Sequence, residues 1–202
     1  MSTILPTETR EFITSATPEL PDLLSVLERA YDHRSWHGTN LRGSIRGLTP
    51  RQAAWRPAPG RHNIWELIVH SAYWKYVARR RITGDRRRSF PLDGSNWFER
   101  PVLGRGDRAI VRGVRLPPSP GSGETRRGAE RGGGQADQLR IDIALLASEH
   151  LALLDAVARL PPRRLHKKIG KSRDTYVALI AGVAAHDLYH AGQIQLLKRL
   201  MS

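Results

Sequence analysis

Apolar residues along this chain recur at three- and four-residue steps, and no run alternates strictly between apolar and polar. Leu20, Leu23, Leu24, Leu27 and Tyr31 share one face if residues 17–32 are helical. Residues 35–50 repeat the pattern with Leu41, Ile45 and Leu48, and Thr49-Pro50 reads as their stop. Residues 50–60, with Pro57, Pro59 and Gly60, read as a connection. Residues 62–85 predict the clearest helix of the first half. Asn63 is its N-cap, Glu66 stands three residues on as in a capping box, and Gly84 is its terminator. Ile64, Leu67, His70, Trp74 and Val77 mark its inner stripe.

Residues 136–161 return to helix through Leu139, Ile143, Leu146, His150, Leu153, Leu154 and Val157, and Pro161-Pro162 end it. After a basic connection over 163–173, residues 174–200 predict the last long helix. Asp174 is its expected N-cap, and Tyr176, Leu179, Ile180, Val183, Ile194 and Leu197 point inward. The sum predicts an all-α fold, an antiparallel four-helix bundle with long connections.

Three stretches escape the pattern. Residues 1–18 are polar and Thr-rich and read as a flexible N-terminal segment ahead of a single domain over 19–202. "SFPLDGSNWFERP" (89–101) reads as an aromatic-bearing loop. Residues 103–137 are rich in Gly, Arg, Pro and Ser, too poor in apolar side chains to offset their ordering entropy. They read as an irregular insertion before the third long helix. A disordered insertion and a shifted reading frame in a GC-rich gene both account for it.

Composition narrows the chemistry. At 202 residues the chain can bury a core as one domain. It has no cysteine, which excludes disulfides, thiolate metal ligands and a cysteine nucleophile, and fits a reducing cytoplasm. No signal peptide and no membrane-length apolar run is visible. A net charge of +14 first suggests nucleic acid, but the charge is mostly arginine spread thinly, so nucleic-acid binding is not expected.

The histidines carry the sharper signal. His62 and His166 fall in connections and read as surface residues, while His33 and His37 flank a break and could cap a helix. His186 and His190 stand four residues apart among Leu179, Val183, Ile194 and Leu197. Four residues turn a helix by about 400°, so both rings share the inner face and can chelate one ion. His70 is equally inward on its own helix and can supply a third ligand across a bundle core. His150 reads as core or as a neighbour of that site. A metalloprotease motif is excluded, because Asp187 stands where a glutamate base is needed.

"HDLYHAGQIQLLKR" (186–199), taken with "IWELIVHSAYWK" (64–75), resembles the DinB-like family. The resemblance extends over residues 35–102 and 138–200. It implies a four-helix bundle of up-down-down-up topology and a divalent metal, zinc or nickel, on three histidines that map onto His70, His186 and His190. It also implies a thiol-dependent S-transferase or isomerase using a low-molecular-weight thiol cosubstrate, and a homodimer. Residues 103–137 depart from the family near the expected mouth of the site.

A three-histidine site keeps the ion's full charge, which would deprotonate an entering thiol. With no cysteine available, the nucleophile comes from outside or is water. Glu66 or Asp187 could orient a ligand histidine from behind, and Gln193 could face the same pocket. Arg79, Arg80 and Arg81 could attract an anionic thiol, although a solvated helix face is the plainer reading. The alternatives are a metal-activated hydrolase and a non-catalytic metal-binding or stress-response protein. The expected partner is a small-molecule substrate, with no membrane.

Overall fold

The structure is a computed structural model that describes residues 20–36, 38–85, 87, 89–101 and 130–201. His37 and residues 1–19 and 102–129 lie outside the described residues, and with them the expected N-terminal segment and most of the expected insertion. The described residues are all-α: helices α1 (Leu20–Tyr31), α2 (Leu41–Ile45), α3 (Pro50–Ala54), α4 (Ile64–Thr83), α5 (Glu130–Ala158) and α6 (Tyr176–Leu200), with one 3-10 turn at Pro162–Arg164. None of these helices is long and apolar enough to cross a membrane.

Local chemistry explains most boundaries. The Asn63 side chain accepts from the Glu66 amide at 2.8 Å, and the Glu66 carboxylate accepts from the Asn63 amide at 3.2 Å, which satisfies two orphan donors at the start of α4. Gly84 closes α4 at φ 73°, a left-handed conformation that glycine adopts without strain, and its amide donates to the Arg80 carbonyl.

Four expectations need correction. Residues 35–50 do not form one helix; Gly38 (φ 114°) and Gly47 (φ 70°) break it, leaving only α2 between them. Thr49-Pro50 does not stop a helix but starts α3. Proline is preorganised for the first helical position, and Thr49 forms a capping box with Gln52. Thr175, not Asp174, caps α6, accepting from the Ala178 amide, while Asp174 takes the Arg81 guanidinium at 2.9 Å. Helix α5 begins at Glu130, inside the stretch read as structureless up to residue 137.

Helix α4 is also not a striped surface helix. Every residue from Ile64 to Ala72 is buried, whereas Trp74, read as inward, is exposed. The first half of α4 is wrapped by α2, α3, α5, α6 and the 89–101 loop, so it needs apolar side chains on all sides.

The core consists of two apolar blocks. One joins the first half of α4 to Leu41, Ile45, Leu146 and Ile194. The other joins α1 to Ala78, Ile82, Leu153, Val157 and Ile180. Between them, Lys75 on α4, His150 on α5 and the 186–190 turn of α6 form a belt of polar side chains. Cross-helix pairs fix the register: Trp65 Nε1 donates to Asp142 at 2.7 Å, Arg79 to Glu149 at 3.0 Å, and Arg81 to Asp174.

Asn63 also donates from Nδ2 to the carbonyls of Ala54 (3.4 Å) and Pro101 (3.0 Å), so it joins α3, α4 and the 89–101 loop. Replacing Asn63 with Ala removes a cap and leaves two carbonyls with lost partners. We expect a stability loss of about 1–3 kcal/mol by urea denaturation. A change below about 0.5 kcal/mol would contradict this role.

Candidate metal centre

His70, His186 and His190 meet at one point. Their ligand-capable nitrogens all lie within 4.8 Å of one another. His186 Nε2 stands 3.1 Å from His70 Nε2 and 3.0 Å from His190 Nε2. His70 and His190 are buried and His186 is half-buried, so the group opens toward solvent through His186.

The outward nitrogens decide which way the lone pairs face. His70 Nδ1 lies 2.8 Å from the Asn96 backbone carbonyl, an acceptor only, so Nδ1 carries the proton and Nε2 the lone pair. His190 Nδ1 lies 2.7 Å from Gln193 Oε1, with the same consequence. A proton on His186 Nε2 can serve one neighbour well and leaves the other lone pair facing it. A shared cation removes that conflict. Two imidazole nitrogens held 2.0–2.1 Å from a tetrahedral ion stand about 3.3 Å apart, close to the spacing here. The three histidines therefore fit a divalent metal ion and could hold one.

Electrostatics favours the neutral, ligating form. Burial pushes His70 below its usual range. His186 is pushed down to about 3 by burial and then by His190, His70 and Lys75. His190 is pushed down to about 4, chiefly by burial. Lone pairs are therefore available at neutral pH.

The 89–101 loop forms the front of the site, which the sequence reading did not anticipate. Asn96 adopts φ 63°, which turns its carbonyl onto His70 while its side chain accepts from Trp74 Nε1 at 2.9 Å. Trp97 lies flat between His70 (3.8 Å) and His62 (3.5 Å). His62, read as a surface residue, is exposed as expected, and it also serves as the outer plate of this stack and contacts Glu66 at 3.0 Å. The signal available in the sequence was a left-handed-prone Asn beside a Trp in an otherwise turn-like loop.

The residues expected behind the ligands separate. Gln193 reaches the site through His190. Glu66 does not contact the three rings; it binds Arg56, His62 and the Asn63 amide. Asp187 turns away from them and pairs with Lys75 in the core, both fully buried. Burial pushes Lys75 down and Asp187 up, and each partner's charge opposes the shift. Asp187 Oδ1 has no hydrogen-bond partner among the described residues. His150 is not a fourth ligand: it stacks on Tyr31 at 3.9 Å, with Nδ1 3.3 Å from Lys75 Nζ. Arg79, Arg80 and Arg81 are half-buried and tied to Glu149, Tyr76 and Asp174, rather than waving in solvent.

The model of the DinB superfamily matches residues 33–194, most of the chain, and the protein belongs to that superfamily. No curated protein and no solved structure matches it significantly.

Two outcomes follow from the buried groups. Lys75→Met alone strands a buried carboxylate and should cost about 3–5 kcal/mol. Lys75→Met with Asp187→Leu removes both charges and should cost less than the single change, read by chemical denaturation. His150 is held down to about 3 by burial and then by Lys75, against about 6.5 in an unfolded chain. Its neutral form is favoured by folding, so its contribution is complete above pH about 6.5. It is lost as the unfolded chain gains a proton, from about 6.5 down to about 3. His150→Phe should make the fall in stability over that window shallower by up to about 1.4 kcal/mol per pH unit. Parallel profiles would contradict this assignment.

Proposed function

We propose that this protein is a divalent-metal-dependent enzyme whose ion is held by His70, His186 and His190, with zinc or nickel as the metal. The observation that carries the proposal is the pair of outward hydrogen bonds, from His70 Nδ1 to Asn96 and from His190 Nδ1 to Gln193, which leave lone pairs converging on one point. Gln193 and the Asn96 carbonyl are positioning groups that fix ring orientation and tautomer. Trp97 braces the His70 ring from its face.

The reaction class that fits is an S-transfer or isomerisation using a low-molecular-weight thiol. When bound, such an ion lowers the pKa of a thiol or water entering an open coordination position. The chain's own residues hold the imidazoles neutral and leave His186 facing the opening. The sequence has no cysteine, so a thiol nucleophile would come from a second molecule. The reading includes an up-down-down-up bundle of α1, α4, α5 and α6. Trp65–Asp142 and Lys75–His150 support a parallel α4 and α5, and His70–His186 and Arg81–Asp174 support an antiparallel α4 and α6.

Elemental analysis of protein purified without chelator tests the ligands. The wild type should carry about one zinc or nickel per chain, and His70→Ala and His190→Ala should each lose most of it. Equal metal in all three proteins would refute the assignment. Turnover of an electrophile only with added thiol supports the transferase reading, and thiol-independent hydrolysis would replace it with a hydrolase.

A further inference from the structure

A second cavity lies along the same face of α4, beyond the histidines. Its volume is about 570 Å³, and none of the three histidines lines it. Positions 70, 77, 81 and 84 share a face at helical spacing, so the cavity runs away from His70, with Arg81 about 16 Å further along the axis. Val77, Ile82 and Ile169 give it apolar walls, and Tyr73, Tyr76 and Tyr176 add aromatic ones.

Its charge is one-sided. Arg80, Arg81 and Arg164 line it; the one lining carboxylate, Asp85, is paired with Arg87, and Arg81 is paired with Asp174, which leaves Arg80 and Arg164 with no carboxylate partner among the described residues. The carbonyl end of α4 contributes only about half a negative charge, which a single guanidinium offsets. The forks are also held in place. Arg80 donates to Tyr76 Oη at 2.6 Å and to the Asp85 carbonyl at 2.8 Å. Arg81 donates to Ser172 and Asp174. Arg164 lies over the Tyr176 ring, 4.6 Å from its centroid, and donates to its hydroxyl. A guanidinium has five N–H donors, so each fork keeps donors with no partner among the described residues. Because the Tyr176 hydroxyl accepts from Arg164, its own proton can turn toward a ligand.

Two restrained cations without a carboxylate partner, beside a third that is ion-paired, around a space with apolar and aromatic walls are suited to one kind of ligand. Little side-chain entropy remains to be lost on binding, and planar forks match carboxylate or phosphate oxygens in pairs. We propose that this cavity is a binding site for a small amphipathic anion: a carboxylate or phosphate on an aromatic or aliphatic body. The acidic group would lie against Arg80 and Arg164, and the body would rest on Val77 and the tyrosines. The site is separate from the metal centre and does not depend on it.

Isothermal titration with phenyl phosphate tests this, with benzyl alcohol as the neutral counterpart and inorganic phosphate as the bare anion. Phenyl phosphate should bind more tightly than either, and less tightly as salt is raised. Arg80→Gln and Arg164→Gln should each weaken it about tenfold or more, the size of one charge-assisted hydrogen bond. Val77→Trp narrows the cavity without changing charge and should weaken binding, with helical circular dichroism checking that each variant is folded. His70→Ala should bind phenyl phosphate as the wild type does. Equal affinity for phenyl phosphate and benzyl alcohol would overturn the proposal. So would unchanged binding in folded Arg80→Gln and Val77→Trp proteins, or loss of binding in folded His70→Ala.

Discussion

The structure depends on one constraint: a belt of polar side chains cuts across the core, and each side chain in it must find a partner. Lys75 and Asp187 form the buried ion pair at its centre. Bringing two such charges out of water is unfavourable unless they meet, so the pair tolerates only one register of α4 against α6. That register places His70 opposite His186 and His190. The apolar blocks on either side supply most of the driving force, but apolar contacts alone would permit α4 to slide or rotate. The ion pair ties α4 to α6 at this register, and the histidine cluster shares its geometry.

Much of this was legible in the sequence, and the failures have physical causes. The three histidines were visible because an i, i+4 pair on an apolar face is rare without a reason. Asn63, Glu66 and Gly84 were legible because caps are local chemistry. Thr49-Pro50 and Asp174 misled for the same reason in reverse: a proline can open a helix as readily as close one, and Asp174 had a distant arginine to satisfy. Lys75 was passed over because a lysine normally points to water, and only its contact with Asp187, 112 positions away, makes burial tolerable. The stripe on α4 failed at Trp74, which is exposed, and it missed that the first half of the helix, enclosed on all sides, has no preferred face.

The front of the site was the least legible part. Asn96 acts through its backbone carbonyl, which no side-chain pattern reveals, and Trp97 acts by stacking across a fold that brings residues 62, 70 and 97 together. Sequence reading finds donors and acceptors on side chains. It is blind to a carbonyl aimed by a left-handed residue, although that carbonyl sets the tautomer of His70.

The attachment of Pro101 has a wider consequence. Its carbonyl is held by Asn63, while the neighbouring Arg100 grips Asp142 through Nε at 2.8 Å and Nη2 at 3.2 Å. Together they work like the strain relief on a cable, fastening the end of the loop to α4 and α5 a few residues beyond Asn96 and Trp97. The loop that carries Asn96 and Trp97 is therefore clamped at its far end by two separate contacts, one to each helix.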